Sequence, residues 1–282
     1  MTTKDFITSA FGVRSPRIIY GTAWKKEQTQ TLVAKAIQCG FRGIDTACQP
    51  KHYREAGVGA GVAACLVGGL SRGDLYLQTK FTPLSGHDPL RIPYDPKAAL
   101  TEQVAQSFQI SLQNLQTEYL DCLVLHSPLP STLQTSEVWQ AMESIFDTGG
   151  AKQLGISNCY DFQYLEWLYN STRIKPVVVQ NRFYADTGYD REIRAFCKQR
   201  EIIYQSFWTL GANPHVLADD RVTSLASKYG HTPAQILFRY LTQNDVVPLT
   251  GTTSEIHMRE DLAIVDFELT EKESDTVTAI LS

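Results

Sequence analysis

The chain lacks several features that would each have pointed to a class of protein. Its six cysteines, Cys39, Cys48, Cys65, Cys122, Cys159 and Cys197, include no Cys-x-x-Cys pair, and no His or Cys pair has ligand spacing. A disulfide framework and a structural metal site are therefore not expected, and the thiols read as reduced, mostly buried groups of a cytosolic protein. No apolar run is long. The longest, 57–70, is glycine-rich and shorter than the ~20 residues of a membrane span. Met1-Thr2-Thr3-Lys4-Asp5-Phe6 does not read as a leader, and Ala279-Ile280-Leu281-Ser282 carries no lipidation or peroxisomal signal. Neither charge dominates: 26 basic against 30 acidic residues give −4, scattered along the chain, so neither nucleic acid nor an anionic membrane is an expected partner. Linkers, repeats and low-complexity segments are also missing. Residues 1–282 are therefore expected to form one domain, a monomer or weak dimer acting on a small molecule.

What is present is a regular alternation. Short β-branched runs at 18–20, 42–46, 75–81, 120–126, 152–157, 176–180, 202–207 and 246–250 predict eight strands. Amphipathic stretches with helix starts and stops lie between them. Asp95-Pro96 predicts the start of a helix running to about Leu115. Thr232-Pro233-Ala234-Gln235 and Thr270-Glu271-Lys272-Glu273 have the form of capping boxes, and Gly40, Gly149 and Gly230 fall where helices should stop. Such alternation implies parallel strands with right-handed crossovers, and eight units of it close into a (β/α)8 TIM barrel. The rival is an open doubly wound sheet with Gly59-x-Gly61-x-x-Ala64 as a dinucleotide fingerprint. That fingerprint follows a strand, whereas Pro50-Lys51-His52-Tyr53-Arg54-Glu55 precedes it here, so 57–69 is predicted as a helix.

Four residues at or just beyond predicted strand ends can together move a proton. Lys80 follows an apolar run and is expected to be partly desolvated, which demands a carboxylate. Asp45, at the end of the neighbouring strand, is the available one. A cation near Tyr53 is expected to lower its phenol pKa, and Tyr53 can then protonate a carbonyl oxygen that gains charge. His126 can orient and polarise the same oxygen. Active sites of such barrels lie at the C-terminal strand ends, where all four stand.

These residues lie in segments that resemble the aldo-keto reductase family. Gly43-Ile44-Asp45-Thr46-Ala47 followed by Tyr53-Arg54-Glu55-Ala56-Gly57-Val58-Gly59 is similar to its first signature. Thr79-Lys80-Phe81, Leu123-Val124-Leu125-His126-Ser127-Pro128, Leu154-Gly155-Ile156-Ser157-Asn158 and Val179-Gln180-Asn181 resemble later motifs in the family's order, from about Ile18 to Leu281. The resemblance implies an NAD(P)H-dependent reductase of aldehydes or ketones. Tyr53 is then the general acid, Lys80 and Asp45 tune it, and His126 orients the carbonyl. It further implies that Ser157, Asn158 and Gln180 hold the nicotinamide carboxamide, with Phe207 stacked on the ring. By the same resemblance Gly21, Thr22 and Asp45 also belong to the cofactor site, and Trp208, Leu210 and Gly211 fall at the pyrophosphate, where Leu210 and Gly211 offer backbone. Thr250, Gly251, Thr252, Thr253, Ser254, Arg259, Glu260 and Asp261 serve the adenosine end.

The chain departs from the family in places. Trp208 replaces a serine, and Leu249 replaces the lysine that grips the 2′-phosphate of NADPH, leaving threonine hydroxyls and Arg259 for that task. NADPH is the expected cofactor, with NADH as the alternative. Ser127 follows His126 where a tryptophan is common, Thr82 stands near an aromatic position, and the last helix runs to Ser282 without a covering tail. A bulky or extended substrate is thus expected, in a pocket of Trp24, Tyr53, Phe81, His126, Ser127 and Trp208, with Tyr184 nearby. Two other readings fit the fold: a cofactor-binding regulatory protein, and a barrel lyase using Lys80 as a Schiff-base nucleophile.

Overall fold

The computed structural model describes residues 6–281. The first five residues and Ser282, on which part of the reading of the two termini rests, lie outside the described residues. The chain opens with a short antiparallel hairpin of β1 (Phe6–Thr8) and β2 (Arg14–Pro16), paired Phe6 to Pro16 and Thr8 to Arg14. Eight parallel strands follow: β3 (Ile19–Gly21), β4 (Gly43–Asp45), β5 (Tyr76–Phe81), β6 (Cys122–Leu125), β7 (Leu154–Ser157), β8 (Val178–Arg182), β9 (Ile203–Phe207) and β10 (Val246–Thr250). They close in the order β10-β3-β4-β5-β6-β7-β8-β9. The helices are α1 (Thr29–Cys39), α2 (Glu55–Val67), α3 (Leu100–Leu115), α4 (Thr132–Asp147), α5 (Phe162–Ser171), α6 (Arg191–Gln199), α7 (Pro214–Ala218), α8 (Asp220–Tyr229), α9 (Pro233–Gln243), α10 (Glu255–Leu262) and α11 (Glu271–Thr278). The fold is a (β/α)8 TIM barrel.

Successive strand residues point to opposite faces, and two apolar sets result. Ile44, Leu77, Phe81, Leu123, Leu125 and Val179 join the large core shared with the helices. Ile19, Tyr76, Val124, Val178, Ile203 and Val247 form a smaller cluster inside the barrel, against which Ile7 and Val13 of the hairpin pack. The hairpin therefore plugs the N-terminal end of the barrel. It is not apparent in the sequence, because two three-residue strands are too short to show a period.

Both capping boxes form, with Thr232 and Gln235 at α9 and Thr270 and Glu273 at α11. Gly230 closes α8 at φ 68°, in the left-handed region that favours glycine. The helix expected from Asp95 begins instead at Leu100. Asp95 accepts a hydrogen bond from the Lys97 amide at 2.9 Å and from the Ala98 amide through its carbonyl, which makes a turn of 95–98. The glycine-rich segment is helical, as α2. A Cβ at Gly59 would collide with the Asn114 carbonyl oxygen, and one at Gly61 would come within 2.7 Å of that of Gln30. Those glycines serve close packing of α2 between α1 and α3 rather than a phosphate loop.

Candidate active site

At the C-terminal end of the barrel the inward-facing residues turn polar. Gln78, Gln180 and Gln205 form a layer, with Gln78 paired in register with Asp45 on β4 and Gln180 with Gln205 on β9. Gln78 Nε2 donates to Gln205 Oε1 at 2.8 Å and Gln205 Nε2 returns a bond to Gln78 Oε1 at 3.0 Å. Asp45 Oδ1 accepts from Lys80 Nζ at 2.6 Å, from Gln78 Nε2 at 2.7 Å and from Gln180 Nε2 at 3.0 Å. Lys80 also donates to Asp45 Oδ2 and the Thr46 carbonyl. Both ends of this ion pair are buried, so the amide layer supplies the hydrogen bonds that keep a charge pair tolerable away from water.

Tyr53 lies in the β4–α2 loop, tied by its amide to the Gln49 carbonyl at 3.1 Å. Lys80 Nζ is 5.5 Å from the centre of its ring. The expected lowering of the phenol pKa does not occur. Burial first, and then the Asp45 carboxylate, raise it well above its ordinary value of 10.0. The phenol therefore stays protonated. His126 follows β6, its ring centre 6.0 Å from that of Tyr53. Its Nδ1 pairs with Thr82 Oγ1 at 2.7 Å. Burial, and secondarily the positive charge of Lys80, hold its pKa well below 6.5, so the ring is neutral. Thr82 is itself fixed, since its carbonyl accepts from His87 Nε2 at 2.9 Å and Tyr94 OH at 2.7 Å. The Tyr53 hydroxyl and His126 Nε2 make no hydrogen bond among the described residues, whereas the groups around them are engaged.

The neighbouring sector is made of amides. Ser157 Oγ donates to the Gln180 carbonyl at 2.7 Å, and Asn158 Nδ2 donates to the His126 carbonyl at 2.9 Å and to Ser157 Oγ at 3.2 Å. Tyr160 OH donates to Asn158 Oδ1 at 3.2 Å. Two acceptors keep capacity there: Gln180 Oε1 and the second lone pair of Asn158 Oδ1. Together they suit a primary amide, whose NH2 offers two donors.

Other expected site residues are placed differently. Phe81 is buried in the outer core beside Tyr94, at 5.7 Å between ring centres, because its neighbour Lys80 takes the inward face. It does not line the mouth. Thr22 donates to the Asp45 carbonyl at 2.8 Å, and Thr250 Oγ1 donates to Asp261 Oδ2 at 2.7 Å. Asp261 is thus buried and engaged, and burial raises its pKa to about 6. Leu249 points into the inner cluster. Arg259 donates to Glu255 at 2.9 Å, and the Glu260 carbonyl accepts from Gln235. Thr252, Thr253 and Ser254 do stand together at the start of α10, with Ser254 as its N-cap and the Ser254 amide bonded to Thr252 Oγ1 at 3.1 Å. Trp24 and Trp208 are 65% and 55% exposed at the mouth, both in left-handed backbone at φ 64° and 57°. Ser127 is half-buried, Leu210 packs on the outer core, and Gly211 lies against the Trp208 indole.

No motif marks Lys25, whose Nζ reaches across to the Gly251 carbonyl. None marks His257, beside Thr252 Oγ1 at 3.5 Å, or Arg182. Only the period-2 alternation from Gln180 could have shown Arg182 facing the mouth. Among the described residues no cluster of three or more His, Cys, Asp and Glu could hold a metal ion, and no helix is long and apolar enough to cross a membrane.

A parallel eight-stranded barrel with a phenol, an imidazole and a buried lysine–aspartate pair at its C-terminal rim has the architecture of a barrel enzyme. The model of the aldo/keto reductase family matches residues 11–282. Glyoxal reductase of Bacillus subtilis (strain 168) is 29% identical over 281 residues, covering 98% of this chain and 93% of that protein. Methylglyoxal reductase DkgA of Yersinia pestis is 26% identical, covering 99% and 94%. The crystal structure of an aldo/keto reductase from Brucella melitensis superposes with a TM-score of 0.83 at 25% identity, covering 98% of this chain and 99% of that one. The chain belongs to the aldo/keto reductase family and is an oxidoreductase of that family.

Proposed function

We propose that the protein reduces an aldehyde or ketone to an alcohol with NADPH. The observation that carries this reading is the pair of open groups at the rim, the Tyr53 hydroxyl and His126 Nε2, on neighbouring rings above a buried Lys80–Asp45 pair. If the Thr82 hydroxyl donates to Nδ1, the ring proton sits on Nε2, and both open groups are donors. A carbonyl oxygen between them receives two hydrogen bonds that strengthen as it gains charge. Tyr53 then gives up its proton. Its raised pKa keeps it in the acid form beforehand, and the Lys80 cation, 5.5 Å from the ring centre, stabilises the phenolate left behind. Asp45, itself held by the glutamine layer, keeps Lys80 in place. When bound, the reduced nicotinamide supplies the hydride.

The amide sector fits the cofactor. Asn158 Oδ1 and Gln180 Oε1 accept from its carboxamide, and Phe207 offers an aromatic face. The hydroxyls of Thr252 and Ser254, the N-terminus of α10 and His257 offer an anion-binding corner for the 2′-phosphate, although Arg259 is turned to Glu255. Exposed Trp24 and Trp208 leave a broad aromatic mouth for an extended substrate. The relatives' names make glyoxal and methylglyoxal the first small carbonyls to try. A Schiff base on Lys80 is disfavoured, because that amine is buried and donates to three acceptors. A regulatory role would leave the open rim donors unused. The test is loss of nicotinamide absorbance with a panel of aldehydes, ketones and quinones, with NADPH and NADH separately. Cofactor binding without turnover on any of them would favour the regulatory reading.

A further inference from the structure

Arg182 ends β8 two residues beyond Gln180, so its side chain points the same way, one step nearer the mouth. It pairs in register with Phe207 on β9. The guanidinium lies 4.4 Å from the Trp208 ring centre, 5.2 Å from that of Tyr184 and 6.0 Å from that of Phe207. Gly211 also lies against Trp208, and a Cβ there would come within 2.7 Å of the indole nitrogen. The Arg182 amide donates to Tyr160 OH at 3.1 Å, the same hydroxyl that donates to Asn158, so the residue is tied to the amide sector. Yet the guanidinium itself makes no hydrogen bond and no ion pair among the described residues, and its Nε is buried without a partner. A cation so placed, stacked on aromatic faces and lacking a carboxylate, is built to receive an oxyanion.

We infer that Arg182 anchors the diphosphate of the dinucleotide cofactor. This rests on the reading of the protein as nicotinamide-dependent. The barrel order decides between the two anions that could come to the mouth. The proton-donating set belongs to β4, β5 and β6, whereas Arg182, Phe207 and Trp208 belong to β8 and β9, and β9 stands diametrically across the ring from β5. A substrate carbonyl must sit by Tyr53 and His126. A nicotinamide held at Gln180 and Asn158 would carry its diphosphate one ribose beyond the ring, on the side away from the substrate carbonyl. A diphosphate, rather than a substrate carboxylate, would then meet Arg182.

The test is calorimetric titration of NADPH and NADH into wild-type protein, Arg182→Met and Arg182→Lys. Methionine keeps a long apolar stem against Trp208 and removes the charge. Because the diphosphate is common to both cofactors, Arg182→Met should weaken both by the same factor, about tenfold or more. Its affinity should also depend less on salt, and Arg182→Lys, which keeps the charge but not the planar stack, should recover part of the loss and serves as the control for folding. Unchanged affinity for both cofactors would overturn the inference. So would a loss confined to NADPH, which would put Arg182 on the 2′-phosphate. Intact cofactor affinity with a raised KM only for carbonyl substrates bearing a carboxylate would place the anion on the substrate instead. Wild-type protein that binds neither cofactor would overturn the function this rests on, and the inference with it.

Discussion

Thr82 shows how much one hydroxyl can decide at this rim. Its side chain is 2.7 Å from His126 Nδ1, and donation in that direction leaves the proton on Nε2, where a substrate oxygen can use it. Thr82→Val keeps the shape and removes the bond. The expected result is a fall in kcat/KM of about tenfold, the scale of one well-placed hydrogen bond, with cofactor affinity unchanged and activity restored by Thr82→Ser. Full activity in the valine variant would mean that the tautomer is set otherwise. The pKa of His126 lies well below 6.5, so its ring is neutral throughout the ordinary imidazole range. Accordingly kcat/KM should show no acidic limb near pH 6.5. A limb there that disappears in His126→Asn would contradict the neutral assignment. That Tyr53, Lys80, Asp45 and His126 meet at one rim was legible in the sequence, because each sits at or beside a strand end. The direction of the Tyr53 shift was not, because it depends first on how deeply the hydroxyl is buried and then on the nearby Asp45 carboxylate. Phe81 was misplaced because a residue's face depends on the strand's exact phase.

Among the elements, the most informative junction joins β10 to α10. Asp261 is buried against Thr250, and its carboxyl holds a proton up to about pH 6, against 3.8 when free in water. Between those values the folded chain binds more protons than the unfolded one, so this group's contribution to stability falls as pH rises through the window. Asp261→Asn keeps a partner for Thr250 and removes the charge. It should stabilise the protein by roughly 1–3 kcal/mol above pH 6, at about 1.4 kcal/mol per pKa unit, and the gain should vanish below pH 4. A gain that is the same at pH 4 and pH 7, in urea melts, would rule out the ionisation as its cause. At the packing of α2, Gly59→Ala drives a methyl into the Asn114 carbonyl of α3. A loss of about 2 kcal/mol or more is expected, the range for overpacking against backbone, and a neutral effect in the same melts would show that the two helices can move apart. The eight barrel strands and their order were readable from the alternation of runs, and the two capping boxes from four-residue patterns. The start of α3 was not, because an Asp-Pro pair fits a turn as well as a helix.

For the whole molecule, closure of eight strands is what brings distant segments to one rim. Tyr53, His126, Gln180 and the β10–α10 loop are far apart in the chain and share one end of the barrel. Motif order revealed that convergence, but residues outside the motifs, Lys25, Arg182 and His257, became visible only when the barrel placed them. Binding a dinucleotide across this rim should stabilise the fold by mass action. At a hundred times its Kd the gain is about 2.7 kcal/mol, a rise of several degrees in Tm for a chain of this size. At equal concentration NADPH should raise Tm more than NADH if the Thr252–Ser254 corner reads the extra phosphate, as proposed. Equal shifts would show that this corner does not read it.

The central claim is that Tyr53 delivers the proton to the carbonyl oxygen. Its most direct test is the single-turnover rate of cofactor oxidation in Tyr53→Phe, measured with saturating NADPH and a carbonyl that wild-type protein reduces. The expected result is a rate lower by ~10²–10⁴, the range for general acid catalysis, with NADPH affinity within a few-fold of wild type. A variant that keeps more than a tenth of the wild-type rate would contradict it.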